Sequence, residues 1–173
     1  VSFNSAKTKS GAIFNMGELR ISGTTFESNY VPEGDDGAIG AGGIVVIDNS
    51  HFRDNQAQSG GGAINSSAHL TITNSLFERN QGGMGGAIYS SAHLFISGST
   101  FSNNGSVELG NMGGALGIDS SPSGPVIIES SNFLSNTGVL GGAIYSSRAT
   151  LNIRGQSMIA GNSAKNGGAL YAE

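Results

Sequence analysis

Gly85-Gly86-Ala87-Ile88-Tyr89, then Leu94 and Ile96, then Phe101-Ser102-Asn103-Asn104, is the stretch from which the fold is read. Seven residues separate Ala87 from Leu94, two separate Leu94 from Ile96, five Ile96 from Phe101, and three Phe101 from Asn104. The preceding stretch keeps the same intervals: Gly61-Gly62-Ala63-Ile64, Leu70, Ile72, Phe77 and Asn80, with Ser-Ser-Ala-His before the leucine in both copies. Self-similarity at a fixed period of about 20–50 residues marks a repeat architecture and overrides an element-by-element reading.

Working outward, the same anchors recur along the chain. Gly11-Ala12-Ile13 leads to Leu19, Ile21, Phe26 and Asn29; Gly37-Ala38-Ile39 leads to Val45, Ile47, Phe52 and Asn55. After the two central copies, Gly113-Gly114-Ala115-Leu116 precedes Val126, Ile128, Phe133 and Asn136. Gly141-Gly142-Ala143-Ile144 precedes Leu151, Ile153, Ile159 and Asn162, and Gly167-Gly168-Ala169-Leu170 opens one more unit. In the sixth copy the asparagine spacing favours Ile159 over Met158 for the phenylalanine place.

Each unit holds three short apolar groups separated by Gly, Ser, Asn and Asp. Apolar residues at i and i+2 mark short strands with one face inward, and no unit has a helical period. The expected fold is all-β: a right-handed parallel β-helix of about seven coils, three short strands to a coil, stacked at about 4.8 Å. The right hand follows from the preference of parallel crossover connections.

Stacking aligns like with like. Isoleucines and leucines should form three inward columns, and Phe26, Phe52, Phe77, Phe101 and Phe133 a fourth. Asn29, Asn55, Asn80, Asn104, Asn136 and Asn162 recur at one turn, where an amide can cap backbone groups and bond its neighbour. Thr24, Ser50, Ser75, Ser99 and Ser131 should form a smaller hydroxyl ladder. The glycine pairs supply either backbone conformations closed to other residues or room for a tight corner.

Composition bounds the function. Among 173 residues there are 29 glycines, 12% charged and 37% hydrophobic residues, and the net charge is −4. Eight Lys plus Arg, scattered singly, make no basic stripe for nucleic acid. No apolar run of about 18 residues marks a membrane helix. Cysteine is absent, so disulfides and thiolate metal sites are excluded. The chain begins near the end of one unit and stops just inside another, so residues 1–173 read as a single β-helix fragment of a longer array.

The alternating Phe-x-x-Asn and Gly-Gly-Ala-Ile/Leu series resembles the polymorphic membrane protein family of chlamydiae. It is carried by Phe26–Asn29, Phe52–Asn55, Phe77–Asn80, Phe101–Asn104 and Phe133–Asn136 together with the Gly-Gly-Ala units. The resemblance implies an autotransporter passenger, an adhesin and antigen on the bacterial surface or outer membrane, or secreted. It implies a host-cell protein or glycan receptor as partner, and membrane attachment only through a carboxy-terminal barrel that lies outside this sequence.

A carbohydrate-active β-helix enzyme, a polysaccharide lyase or hydrolase with its site outside this stretch or in its loops, is the alternative. Such a site needs clustered carboxylates acting as acid and base or holding calcium. Only Asp35 and Asp36 are sequence neighbours among the aspartates, and an exposed acidic turn is preferred there over a calcium loop. Glu27, Arg53 and Glu78 fall on successive coils, where Arg53 would hold both glutamates ionised, as a surface ion-pair column does. His69 and His93 should stack about 5 Å apart on adjacent coils, two solvent-facing imidazoles without a third ligand. Tyr145 and Tyr171 are expected as exposed neighbours. The reading is therefore non-enzymatic, with no cofactor and no metal.

Partner contact is assigned to the two longest insertions, which flank the fifth coil: residues 105–112 and 119–125. Val107, Glu108, Leu109, Asp119 and Pro122 are the candidate binding residues. Val107 and Leu109 are apolar in an otherwise polar insertion, where the ordinary reading is a small satellite core. Unpaired strand edges at the two terminal coils invite end-to-end association. Sedimentation should show concentration-dependent self-association of this chain, and strictly monomeric behaviour at high concentration would count against it.

Overall fold

The structure is a computed structural model and describes residues 1–106, 112–119 and 124–173. The apolar pairs fall where their spacing puts them, on strands three or four residues long. The first sheet has seven strands, Ile13–Asn15, Ile39–Ala41, Ile64–Ser66, Ile88–Ser90, Leu116–Asp119, Ile144–Ser147 and Leu170–Ala172, each parallel to the next. Its register runs Ile13, Ile39, Ile64, Ile88, Leu116, Ile144, Leu170 without a slip.

The second sheet pairs six strands, from Leu19–Ser22 to Leu151–Arg154, and aligns Ile21, Ile47, Ile72, Ile96, Ile128 and Ile153. The third, also of six strands, runs from Thr25–Glu27 to Met158–Ala160 and stacks the phenylalanines, with Phe133 opposite Ile159. The chain is thus a parallel β-helix. Alternation does the sorting: in Leu70–Thr73 the first and third residues are buried and the other two half-buried.

A fourth, narrow ladder follows the asparagine turn. Tyr30–Val31, Gln56–Ala57, Gln81–Gly82 and Gly105–Ser106 pair in parallel, and single bridges continue them through Thr137 to Ser163. Two-residue strands carry no alternating pattern, so the sequence shows only a turn there.

Inside the coil, Phe26, Phe52, Phe77, Phe101 and Phe133 stack face to face, centroids 4.7–4.8 Å apart and planes within 1–7°. The strand spacing imposes this geometry, since free aromatic pairs prefer offset or edge-to-face contacts. From Asn29 to Asn136 the ladder asparagines satisfy every valence of their amides. Asn80 Nδ2 donates to Asn104 Oδ1 at 3.0 Å and to the Phe52 carbonyl at 2.9 Å. Its Oδ1 accepts from Asn55 Nδ2 at 2.9 Å and from the Asn55 backbone N–H at 3.1 Å. Two donors and two lone pairs are the whole inventory of a carboxamide. The ladder also has a rung before Asn29: Asn4 donates from Nδ2 and from its backbone to Asn29 Oδ1.

The hydroxyl ladder is present as well. The Ser50 N–H donates to Ser75 Oγ, and the N–H groups of Ser75, Ser99 and Ser131 continue it to Ser157. Of the two roles open to the glycine pairs, room is the one seen at their second members. A Cβ on Gly62 would collide with the Gly86 carbonyl oxygen, and one on Gly86 with that of Gly114, at backbone angles that other residues adopt.

Asn80→Ala takes the Nδ2 donor from the Phe52 carbonyl and from Asn104 Oδ1, which keeps only the backbone N–H of residue 80, and strands two donors of Asn55 at a buried site. It should cost about 1–3 kcal/mol by denaturant melting, and an unchanged midpoint would reject the ladder as a stabilising element.

Candidate functional site

With the inward positions taken by columns, only outward residues and corners are free for function. The outward face of the third sheet carries a charged strip. Arg53 Nη2 meets Glu27 Oε1 at 3.0 Å as expected. Glu78, however, is not its second partner: its Oε1 lies 3.2 Å from His51 Nε2 and 3.2 Å from Arg79 Nη1. Arg79 has a left-handed backbone, φ 52°, and donates from Nε and Nη2 to both Asp54 oxygens at 2.9 Å. The expected three-member column is thus corrected to one Arg–Glu pair beside a network of His51, Glu78, Arg79 and Asp54.

At the corner between the second and third sheets, Gly23, Asn49, Asn74, Gly98, Ser130 and Gly155 all have left-handed φ, from 46 to 70°. The first five turn the chain just before a hydroxyl-ladder residue, and Gly155 does so two residues before Ser157. The corner opens into a groove of about 460 Å³, floored by Thr24, Ser50 and Ser75 and edged by Asn49, Asn74 and His51. Hydroxyls and amides line it. On its rim, Thr73 Oγ1 donates to Asp48 Oδ1 at 2.6 Å and Asn74 Nδ2 at 3.0 Å. Thr73 first and Asn74 second hold the Asp48 carboxyl below its ordinary 3.8.

The histidines behave as expected: His69 and His93 stack with centroids 4.9 Å apart. Among the described residues, no group of three or more His, Cys, Asp or Glu is placed to hold a metal ion. The exposed acidic turn is corrected at one residue. Asp35 is exposed and accepts from Ser59, but Asp36 is buried and accepts from Ser10 and Asn65.

Tyr145 is corrected too. Its ring lies 6.0 Å from that of Tyr171, yet it is buried, and its hydroxyl donates to Glu173 Oε1 at 2.5 Å. Burial chiefly, then Glu173, raises the pKa of that phenol above 10.0. Tyr89 is likewise pushed up by burial, with Asp119 and Asp35 adding to the shift.

Of the residues proposed for partner contact, Asp119 ends the strand Leu116–Asp119, paired with Ser147. Val107, Glu108, Leu109 and Pro122 lie outside the described residues. Asn4 and Asp36 were missed by sequence. Val1-Ser2-Phe3-Asn4 keeps the three-residue interval, but Phe3 falls off the phenylalanine place and hides it.

A family model described as right handed beta helix region matches residues 8–172. The chain belongs to the right-handed β-helix family. No curated protein and no solved structure matches it. Right-handed β-helices include both enzymes and non-enzymes, so membership gives the scaffold and leaves activity to the site.

Asp48 supplies a test of the groove rim. Its lowered folded pKa means that its contribution to stability is present above 3.8 and lost as pH falls through the folded value. In Thr73→Val, carboxyl-carbon NMR should show Asp48 titrating closer to 3.8; an unmoved midpoint would mean that Thr73 is not the cause.

Proposed function

We propose that this β-helix is a binding rod: a surface-exposed bacterial autotransporter passenger segment that acts as an adhesin and antigen toward a host-cell protein or glycan. The observation that carries the reading is the placement of the repeat signature. Ile, Phe and Asn of every central unit are buried in columns, so the series that defines the sequence builds length and rigidity. Outward positions are thereby free to change from coil to coil, as a solenoid's partner surface does.

The carboxylates on the third-sheet face support the same reading. Glu27 is engaged by Arg53, and Asp54 and Glu78 by Arg79. A carbohydrate-active enzyme is the second reading, and the polar groove at the corner of the second and third sheets is the observation that favours it.

The partner contact is assigned, on their length and their departure from the repeat, to residues 105–112 and 119–125. Labelled protein should bind host cells saturably and release no reducing ends from surface polysaccharides. Depolymerisation without cell retention would replace the adhesin by the enzyme. Exchanging both insertions for the short turn of Gln81 to Met84 should keep the far-UV circular dichroism and abolish cell binding. A folded, trimmed protein that binds as well as the parent would move the contact to the flat faces.

A further inference from the structure

The second coil breaks the repeat at two places that face each other. Strand bridging aligns Asp36 with Gly61, Gly61 with Gly85 and Gly85 with Gly113, so an aspartate stands where these coils have the first glycine of the pair. Outward on the adjoining strand, Gly40 stands where the neighbouring coils carry Phe14 and Asn65. The two changes are coupled, because a Cβ on Gly40 would collide with Asp36 Oδ2 and Ser10 Oγ. One coil has gained a carboxylate and lost the side chain that would displace it.

The result is a hollow of about 230 Å³ lined by Phe14, Met16, Ala41, Asn65 and Ser67, with Asp36 in its wall. Asp36 is 7% exposed. Its Oδ2 accepts from Ser10 Oγ at 2.8 Å and the Ser10 N–H at 3.3 Å, and its Oδ1 from Asn65 Nδ2 at 2.6 Å. A carboxylate has about four lone-pair sites, so three are filled and one remains, on Oδ1. Among the described residues, none of the ion pairs involves Asp36. The nearby Lys9 places its Nζ over the Phe14 ring instead, 4.6 Å from the centroid. Buried carboxylates ordinarily have a cationic partner, and this one has neutral donors only.

We propose that this hollow receives the ammonium group of a lysine side chain from a partner protein. One free lone pair suits an ammonium, a compact charge with rotatable donors, whereas a guanidinium makes its best contact with two parallel acceptors. A quaternary ammonium has no N–H to give. Calcium needs six to eight oxygens, and here three of the carboxylate's sites already face N–H and O–H donors. The lysine stem lies along Phe14, Met16 and Ala41, as long amphipathic side chains do when the charge alone is fixed by a polar group. Phe14 and Met16 are 51% and 70% exposed, so this apolar rim is open to a partner. The site stands on residues of the first three coils and holds whether or not the insertions at the fifth coil bind cells.

Amide-resolved NMR titration of the whole chain with Nα-acetyl-lysine methylamide tests it. Shifts should concentrate at Ser10, Gly40 and Asn65 and saturate at about 1–10 mM, the range of one ion pair with an apolar stem. The Nε-acetylated analogue and the arginine analogue should bind at least about tenfold more weakly, as should Asp36→Asn. Phe14→Ala with Met16→Ala, both exposed and independent of the core, should weaken binding several-fold while the amide spectrum of the core stays in place. Equal binding of the neutral analogue, or shifts scattered away from this hollow, would overturn the proposal. Tighter binding of a simple diamine would overturn the protein partner, and the same shifts with micromolar calcium chloride would make the hollow a metal site.

Discussion

One carboxamide per coil holds the prism together. At its corner the preceding residue is left-handed: Ser28, Asp54, Arg79, Asn103 and Ser135 have φ between 52 and 56°. Such a conformation costs about 1–3 kcal/mol for a residue other than glycine and persists only where its surroundings enforce it. The asparagine that follows is that enforcement. Its amide bonds the next coil's asparagine and the preceding coil's phenylalanine carbonyl, as Asn55 does with Asn80 and Phe26, Asn104 with Asn136 and Phe77. Each corner therefore fixes the height of the phenylalanine before it. The phenylalanine stack, with planes parallel to within 7°, is a consequence of that fixed height.

The other corners use different devices for the same task. A left-handed Gly, Asn or Ser followed by a buried hydroxyl turns the second sheet into the third. The glycine pairs let backbone pass close to backbone where the coil closes onto the first sheet. With three corners tied in this way, the outward residues carry little of the fold. Ion pairs such as Arg79 with Asp54 are exposed and contribute on the order of 0–1 kcal/mol each. This division of labour underlies the reading of the molecule as a scaffold with an adjustable surface.

The columns were legible because a parallel stack repeats one residue type at one place. Ile13 to Leu170, Phe26 to Phe133 and Asn29 to Asn162 needed only counted intervals. Ile159 was placed by the asparagine spacing alone and pairs opposite Phe133. What was hidden has a common cause: contacts made sideways, or by residues that occur once. The fourth ladder has two-residue strands with no pattern to count. Asp36 looked like half of an acidic turn, because nothing in sequence says that Gly40 makes room for it. Glu78 was matched by register to Arg53, whereas its near neighbours are His51 and Arg79, which spacing along one column cannot reveal. Tyr145 reads as outward and is outward, yet Tyr171 and Glu173 sit beside it.

The central claim is that the asparagine side chains, more than the charged surface, tie each coil to the next. Hydrogen exchange of the side-chain amide protons measures this directly, since a bonded, buried carboxamide exchanges only when the coils separate. The Nδ2 protons of Asn55, Asn80, Asn104 and Asn136 should exchange as slowly as the backbone amides of Phe52, Phe77 and Phe101, and with the same denaturant dependence. Fast exchange of those protons, at the rate of the exposed Asn152 amide, under conditions where the strands remain protected would contradict it.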